Sequence, residues 1–307
     1  MREAVGARRF RLPIAGAVEA PETEAASAWP PSPPRPSFAP GDIHLFRVGL
    51  DVPDHRLQRL HRFLATGERA RAERFHDSRD ARRYVVGRAT LRSVLARYLV
   101  CAPVEVVIAT EASGRPIVPS ACRHGPLFFN VTHAGDLALV AVTGIAPIGV
   151  DVEEIHEIAE MERLADRFFS PEESRALREL PGDLRTAAFF RCWTRKEAVL
   201  KATGEGLAGD LGRFEVTLDP APARVVRWDG RSGRSAGWNL RHLAPAPGFV
   251  GALALRGPIR SLRMWSWPPD GRVNPPRPAS RPEPAGPRRW SMASPESPHA
   301  EDAPGAE

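Results

Sequence analysis

The alternation of apolar and polar positions predicts a strand and two helices at the start of the folded part of the chain. Residues 43–48 alternate as a strand does, and leucines recur at helical spacing over 54–64. An apolar stripe among arginines predicts a longer helix over 78–99. Short strands are then predicted at 104–109, 127–133, 137–143 and 148–153. Because only Ala-Gly-Asp separates the second and third of these strands, we expect them to form a hairpin.

The same order, helices followed by strands, returns in the second part of the chain. Ser-Pro-Glu-Glu at 170–173 predicts a helix start, since the serine caps the helix, proline suits its first position and the second glutamate completes a capping box. Another helix is expected over about 183–203. Strands are predicted at 213–218, 237–243, 249–255 and 262–267. This repetition predicts an α+β fold of two similar α/β halves that form an internal pseudo-dimer, and therefore a monomer.

Proline is concentrated at the two ends of the chain. The sequence has 307 residues and 32 prolines, and the Pro-rich stretches 1–40 and 268–307 lack apolar periodicity. We expect both to be disordered, an N-terminal arm and a C-terminal tail. The predicted body between them divides into an N-terminal half over 41–147 and a C-terminal half over 148–267.

Composition narrows the class of protein. No apolar run approaches the ~18–20 residues that span a bilayer, and the N-terminus lacks the apolar core of a signal peptide, so no membrane segment is expected. Cys101, Cys122 and Cys192 are scattered, which fits neither a disulfide framework nor a zinc site and favours a cytoplasmic location. The net charge of +6 is spread over the chain without a basic and aromatic run, so we expect an acidic partner and no nucleic acid.

Lysine is nearly absent, because arginine supplies every basic residue except Lys196 and Lys201. A lysine is a compact point charge that can give up a proton, whereas a guanidinium stays protonated and needs a wide planar partner. These two lysines are therefore candidates for a role that arginine cannot fill. The alternative is two chance lysines on a solvated helix face.

Three carboxylates stand out: two on a strand are candidate metal ligands, and one lies on a helix beside a lysine. Asp151 and Glu153 lie two apart at the end of an apolar strand, on one face and roughly 6–7 Å apart at ~3.3 Å per residue. Magnesium commonly takes such carboxylates together with phosphate oxygens, although a polar strand end facing water is the alternative. Glu197 lies between Trp193 and Lys201 along one side of the 183–203 helix. A surface Glu–Lys pair worth ~0.2–0.5 kcal/mol is the alternative there.

Together these motifs resemble the signature of Sfp-type 4′-phosphopantetheinyl transferases over about 70–215. Each matches a segment of that family, in the family's order and at its spacing. The segments are F-H-D-S-R-D-A-R-R-Y-V-V-G-R (75–88), G-R-P-I-V-P (114–119), F-N-V-T-H-A-G-D-L-A-L-V-A-V (129–142), G-V-D-V-E (149–153), R-F-F-S-P-E-E (167–173), W-T-R-K-E-A-V-L-K (193–201) and G-E-G-L (204–207). The resemblance implies that phosphopantetheine is transferred from coenzyme A to a serine of an acyl or peptidyl carrier protein. Such carriers serve fatty-acid, polyketide or nonribosomal-peptide synthesis, and the other product is adenosine 3′,5′-bisphosphate.

The resemblance also implies the roles of the site residues. Asp151, Glu153 and Glu197 would hold Mg²⁺ on the pyrophosphate, and Glu197 would help to remove the serine proton. Lys201 would contact the pyrophosphate and stabilise or protonate the departing phosphate. Coenzyme A would be bound by basic and flanking residues: His133 at a phosphate, Arg83, Arg115 and Pro116 near the adenine and 3′-phosphate, Arg71 upstream, Lys196 at the rim, and Lys201.

Some positions depart from the family pattern or keep an alternative. Arg115 stands where the family has lysine, and Thr132 where it has serine, so hydrogen bonding is retained. Glu173 matches a family acid, but its position in the capping box explains it equally well. Two other functions remain open: a non-catalytic protein that binds coenzyme A or a carrier, and a phosphodiester hydrolase that uses the same metal site.

Overall fold

The computed structural model describes residues 29–33, 36–37, 39–119, 125–205, 210–231 and 237–267. The helices are α1 (Asp54–His61), α2 (Thr66–Glu73), α3 (Ser78–Leu99), α4 (Met161–Phe168), α5 (Pro171–Glu179) and α6 (Gly182–Thr203). The strands are β1 (Asp42–Gly49), β2 (Ala109–Thr110), β3 (Pro116–Ile117), β4 (Phe128–Ala134), β5 (Leu137–Thr143), β6 (Ile148–Glu154), β7 (Phe214–Val216), β8 (Val225–Trp228), β9 (Trp238–Leu243), β10 (Phe249–Arg256) and β11 (Ser261–Trp267).

Two antiparallel sheets form the centre of the fold, apart from one parallel pair. The first sheet has the order β11-β1-β5-β4, in which β1 and β11 run parallel, and the second has the order β6-β10-β9. The predicted hairpin is confirmed, since β4 and β5 pair from Phe128↔Thr143 to Ala134↔Leu137. Two further strand pairs, β2 with β3 and β7 with β8, lie outside these sheets.

Four layers stack in the order α3, first sheet, second sheet, α6. Apolar residues of α3 pack with those of β1, β4 and β5, while a separate core between the sheets includes Leu45, Leu139, Val150 and Leu253. A third core joins α6 to the second sheet. The α3 and α6 helices each have 22 residues and each cover one sheet. The prediction of an α+β fold built from two similar halves is therefore confirmed.

Several local predictions are wrong. The strand expected over 104–109 is instead a 3₁₀ turn at Pro103–Glu105 followed by the two-residue β2, and the carbonyl oxygens of Pro103, Val104 and Val106 accept hydrogen bonds from the Arg92 side chain instead of from a neighbouring strand. Helices α2 and α4 and strand β8 were not predicted. Strand β11 belongs to the predicted C-terminal half in sequence but pairs with β1 in the first sheet. Within the described residues, no helix is long and apolar enough to cross a membrane.

Part of the predicted N-terminal arm is folded, contrary to the expectation of disorder through residue 40. Trp29 is buried in the core between the sheets, and Pro31 forms a parallel bridge to Ser266 of β11. The guanidinium of Arg47 lies 5.2 Å from the centre of the Trp29 ring. A single tryptophan thus supplies the apolar anchor that the surrounding prolines lack. Residues 1–28 and the predicted tail over 268–307 lie outside the described residues.

Candidate active site

Strand β6 and helix α6 meet in direct backbone contact at Gly149. A Cβ atom at Gly149 would lie 1.9 Å from the carbonyl oxygen of Ala198 and 2.6 Å from the amide nitrogen of Ala202, so no larger residue fits there. Val150 and Val152 point into the core between the sheets. Because side chains alternate along a strand, Asp151 lies on the opposite face, toward α6.

One carboxylate oxygen of Asp151 accepts hydrogen bonds from side chains of two other elements, α6 and β4. Its Oδ1 accepts hydrogen bonds from Lys201 Nζ of α6, at 2.6 Å, and from Thr132 Oγ1 of β4, at 3.0 Å. Lys201 Nζ also lies 3.2 Å from the carbonyl oxygen of Val150 and 3.4 Å from Thr132 Oγ1. Asp151 is 2 % exposed, and its Oδ2 has no hydrogen-bond partner among the described residues. One carboxylate oxygen is thus held in place while the other is buried and available.

The neighbouring carboxylates of Glu153 and Glu197 are half-buried. Glu153 follows Asp151 on the same face of β6, and Glu197 precedes Lys201 by one turn of α6. Within the described residues, no three His, Cys, Asp or Glu side chains are close enough to hold one metal ion between them. The buried Oδ2 of Asp151 and the all-oxygen donor set nevertheless suit Mg²⁺, which keeps several of its ligands as water or phosphate oxygens.

Asn130 lies beside Asp151, a position in the site that was not predicted from the sequence. Its side-chain Oδ1 accepts a hydrogen bond from the backbone N–H of Val150 at 3.1 Å, although β4 and β6 belong to different sheets. With Thr132, it fixes the free edge of β6 immediately beside Asp151. The F-N-V-T-H segment carried a signal for this contact, because an asparagine buried in an apolar strand needs a hydrogen-bond partner.

Three of the basic residues predicted to bind the nucleotide end, Arg71, Arg83 and His133, lie on α2, α3 and β4. Arg83 Nε donates a hydrogen bond to Asp136 Oδ1 at 2.8 Å, and a terminal nitrogen of Arg79 donates to Asp136 Oδ2 at 2.7 Å. Burial alone would raise the pKa of Asp136, but the hydrogen bonds from Arg83 and Arg79 outweigh it and hold that pKa below its usual range. His133 is exposed on β4, three residues before Asp136. The Arg71 guanidinium lies 5.4 Å from the centre of the Tyr84 ring on α3.

Arg115 and Pro116 lie near the end of α6. Arg115 makes a two-point contact with Glu111, from Nε to Oε2 at 3.0 Å and from its terminal nitrogen to Oε1 at 3.1 Å. Its guanidinium also borders Gly204, where a Cβ atom would lie 3.5 Å from it. Pro116 pairs with Thr110 between β2 and β3. The segment predicted to bind the adenine is thus placed beside the helix that carries Glu197 and Lys201.

Comparison with known proteins decides the family. A family model described as "4′-phosphopantetheinyl transferase superfamily" matches residues 147–254, and one described as "4′-phosphopantetheinyl transferase, N-terminal" matches residues 53–144. The chain is 39% identical over 240 residues to the 4′-phosphopantetheinyl transferase HetI of Nostoc sp., which covers 78% of this chain and 98% of HetI. It belongs to the Sfp-type 4′-phosphopantetheinyl transferase family.

Two further relatives agree with this assignment. The 4′-phosphopantetheinyl transferase psf-1 of Bacillus pumilus is 36% identical over 191 residues, 60% of this chain and 79% of psf-1. The 4′-phosphopantetheinyl transferase Sfp of Bacillus subtilis is 30% identical over 178 residues, 57% of this chain and 77% of Sfp. The resemblance inferred from the motifs is thus confirmed, and the chain is an enzyme of the transferase class.

The structure corrects the position expected for Lys196 in this transferase. Lys196 is fully buried, with its Nζ 2.7 Å from Glu173 Oε2, so it cannot contact coenzyme A or a carrier at the rim of the site. The sequence-based prediction placed Lys196 on a different side of the helix from Lys201 and assumed that this side is exposed to solvent. Helix α6 contacts α4, α5 and β7 as well as the second sheet, so the side of the helix that carries Lys196 packs against protein instead.

Glu173 completes the predicted capping box of the transferase. Ser170 Oγ accepts from the Glu173 backbone N–H at 3.2 Å, and Glu173 Oε2 accepts from the Ser170 backbone N–H at 2.8 Å. Its Oε1 accepts from the Val216 backbone N–H at 2.7 Å. With both oxygens engaged and 3 % exposure, Glu173 cannot meet a serine of another protein. Its role is structural.

Proposed function

We propose that this transferase moves 4′-phosphopantetheine from coenzyme A to a serine hydroxyl of an acyl or peptidyl carrier protein, in a Mg²⁺-dependent reaction that releases adenosine 3′,5′-bisphosphate. The carriers would be those of fatty-acid, polyketide or nonribosomal-peptide synthesis. The observation that carries the proposal is the Asp151–Lys201 ion pair, formed where β6 crosses α6 in a member of this family. It puts an anion that suits a metal and a cation that suits a phosphate within one hydrogen bond of each other.

A residue of the site is assigned to each group that reacts. When bound to Asp151, Glu153 and Glu197, Mg²⁺ would neutralise charge on the pyrophosphate where the phosphodiester breaks. The serine oxygen forms a bond to the phosphorus that bears pantetheine, and the bond from that phosphorus to the departing nucleotide oxygen breaks. Glu197 accepts the serine proton, directly or through water. Lys201 donates to the departing phosphate, where its compact ammonium can also release a proton.

The nucleotide end of coenzyme A would be bound by residues of the N-terminal half. We assign His133 to a phosphate, Arg83 and Arg115 to the 3′-phosphate and adenine region with Pro116 beside Arg115, and Arg71 to the outer edge. The existing pairs of Arg83 with Asp136 and of Arg115 with Glu111 support this, because each guanidinium is already oriented by a carboxylate. We further propose that the enzyme acts in the cytoplasm as a monomer.

The test is a panel of apo carrier proteins incubated with the full chain and coenzyme A, with MgCl₂ or with EDTA. Mass spectrometry should show a gain of one phosphopantetheine group on at least one carrier, at its serine, in the MgCl₂ samples alone. Binding of coenzyme A without transfer to any carrier would favour a non-catalytic binding protein. Cleavage of coenzyme A without any acceptor would favour a hydrolase. Light scattering of the same preparation tests the monomer.

A further inference from the structure

The Lys196 ammonium is enclosed by three oxygen acceptors. Besides Glu173 Oε2 at 2.7 Å, its Nζ donates to the carbonyl oxygens of Leu211, at 2.7 Å, and of Phe214. The Phe214 ring centre lies 4.7 Å from the same nitrogen. An ammonium has three N–H donors, so every donor has a partner within the protein. The group is fully satisfied where it is.

This network fastens three separate parts of the chain to one helix. Glu173 belongs to α5 and receives the N–H of Val216 from β7, while Leu211 lies in the 3₁₀ turn Leu211–Arg213 before β7. Lys196 belongs to α6. Separating the two partners of such a buried pair leaves an uncompensated charge. Helix α6 therefore cannot move without α5 moving with it.

The point of attachment on α6 adjoins the proposed catalytic groups. Lys196 immediately precedes Glu197 and lies five residues before Lys201 on the same helix. Side chains extend about 5–6 Å from a helix axis, so a rotation of about 20° displaces a carboxylate by about 2 Å. A displacement of that size can cost about 100-fold in rate. Whatever fixes the rotation of α6 therefore controls the geometry of the site.

We propose that Lys196 is a positioning residue of this transferase: through Glu173, Leu211 and Phe214, its ammonium fixes the rotation of α6 that presents Glu197 and Lys201 to Asp151. The assignment rests on the proposed function and adds a residue that touches no substrate. It also explains the lysine, because three acceptors converge on one point, which suits an ammonium and not a planar guanidinium.

Arg195 provides a matched control on the same helix. It is also fully buried, and it donates to the carbonyl oxygens of Thr217 and, at 2.9 Å, Pro220, which lie beyond β7. These two carbonyl oxygens lie further along the chain than the acceptors of Lys196, and neither belongs to α5. Arg195→Met thus removes a buried cation from α6 without releasing the contact between α5, β7 and α6 at Glu173.

The experiment compares Lys196→Met, the double variant Lys196→Met/Glu173→Gln and Arg195→Met with wild type. Melting temperature, kcat and KM for coenzyme A and for a carrier are measured at a temperature at which circular dichroism shows each protein to be folded. All single variants should lose melting temperature. The double variant should regain much of it, because no unpaired buried charge remains, and it keeps the test open where Lys196→Met fails to fold.

A positioning role predicts that kcat stays about 10- to 100-fold below wild type in the double variant although its melting temperature recovers. Arg195→Met, once folded, should keep a kcat close to wild type. Calorimetry with adenosine 3′,5′-bisphosphate should show weaker binding for the Lys196 variants and unchanged binding for Arg195→Met, since Lys201 is displaced only in the former.

Recovery of both kcat and bisphosphate binding in the double variant would overturn the proposal, because the pair would then serve stability alone. An equal loss of kcat in Arg195→Met would overturn it as well, because any buried cation of α6 would have the same effect. Should wild type modify no carrier, the proposed function fails, while the calorimetric comparison still decides whether Lys196 positions Lys201.

Discussion

The Nζ atom of Lys201 lies 2.6 Å from Oδ1 of Asp151, so the ammonium of α6 shares its charge with the carboxylate of β6. Three oxygens lie within 3.4 Å of this nitrogen, from Asp151, Val150 and Thr132. In the proposed function, Lys201 would exchange one of these contacts for a phosphate oxygen of the pyrophosphate. The ion pair would then couple the position of Asp151, the proposed metal ligand, to the presence of coenzyme A.

Lys201→Arg should keep the positive charge but lose activity. A guanidinium is too wide for three oxygens that converge on one point, and it does not release a proton. We expect kcat for transfer to a carrier to fall about 100-fold, as for loss of one group that stabilises charge in the transition state, and to fall further in Lys201→Met. Wild-type kcat in Lys201→Arg, at an unchanged melting temperature, would contradict the role of Lys201 in proton donation.

Asp151→Asn and Glu197→Gln should each reduce transfer by about 10²–10³-fold while the protein stays folded. Both changes keep the size of the side chain and remove the charge that a divalent cation requires. Glu154→Gln is the matched control, because Glu154 is the next acid on β6 and is exposed. Titration with Mn²⁺, followed by electron paramagnetic resonance, should show weaker binding in the two site variants only. Retained transfer in both of them would remove the metal assignment.

Gly149→Ala should unfold the protein or destabilise it by more than about 4 kcal/mol, in the range of the most disruptive substitutions. The added methyl group would meet the Ala198 carbonyl oxygen at 1.9 Å, and backbone on both sides cannot move aside. Gly67→Ala is the control, since outside the adjoining backbone of α2 no atom lies within 4 Å of its Cβ position. It should stabilise α2 by up to about 1 kcal/mol. Urea denaturation measures both, and a mild effect of Gly149→Ala would mean that β6 and α6 are further apart.

Stability should fall between pH 7 and pH 5 because of His44. Burial lowers the pKa of His44 from 6.5 to about 4, an effect that Arg263 reinforces and Asp42 opposes. The unfolded chain binds a proton through its ordinary pKa near 6.5, whereas the folded protein does not until pH approaches 4, so stability is lost as the pH falls. The expected loss is about 2 kcal/mol between pH 7 and pH 5.

His44→Gln tests this by the difference between free energies of unfolding at the two pH values, measured by urea denaturation. Glutamine keeps a polar group near Tyr98, which lies 2.7 Å from His44 Nδ1, but does not titrate. The pH-dependent loss should shrink in the variant, because the other titrating groups are the same in both proteins. An equal loss in wild type and variant would assign the pH dependence elsewhere.

Elements with a long apolar period were predictable from the chain alone. Helix α3 spans Ser78–Leu99, the range that was predicted, and its N-cap Asp77 accepts from the backbone N–H groups of Arg79 and Asp80. The shared face of Asp151 and Glu153 followed from strand alternation. Local rules suffice there, because each depends only on residues a few positions apart.

Long-range contacts were not predictable in the same way. The parallel pairing of β1 with β11 joins residues more than two hundred positions apart, and no local pattern encodes it. Burial of Lys196 was missed because α6 has apolar neighbours all round, so a polar position turned from the site meets another core. The sequence indicated that Asn130, in an apolar strand, needs a hydrogen-bond partner, but no local pattern identified that partner as the backbone N–H of Val150.

The unequal exposure of the two lysines has a practical consequence. Lys196 is sealed inside the protein, whereas the side chain of Lys201 is 23 % exposed. An amine-selective acylating reagent applied to the folded enzyme thus has one lysine side chain to find, and that one adjoins the ligand of the proposed metal. Covalent labelling followed by peptide mapping becomes a direct reporter of whether the proposed pyrophosphate position is occupied, without an assay of turnover.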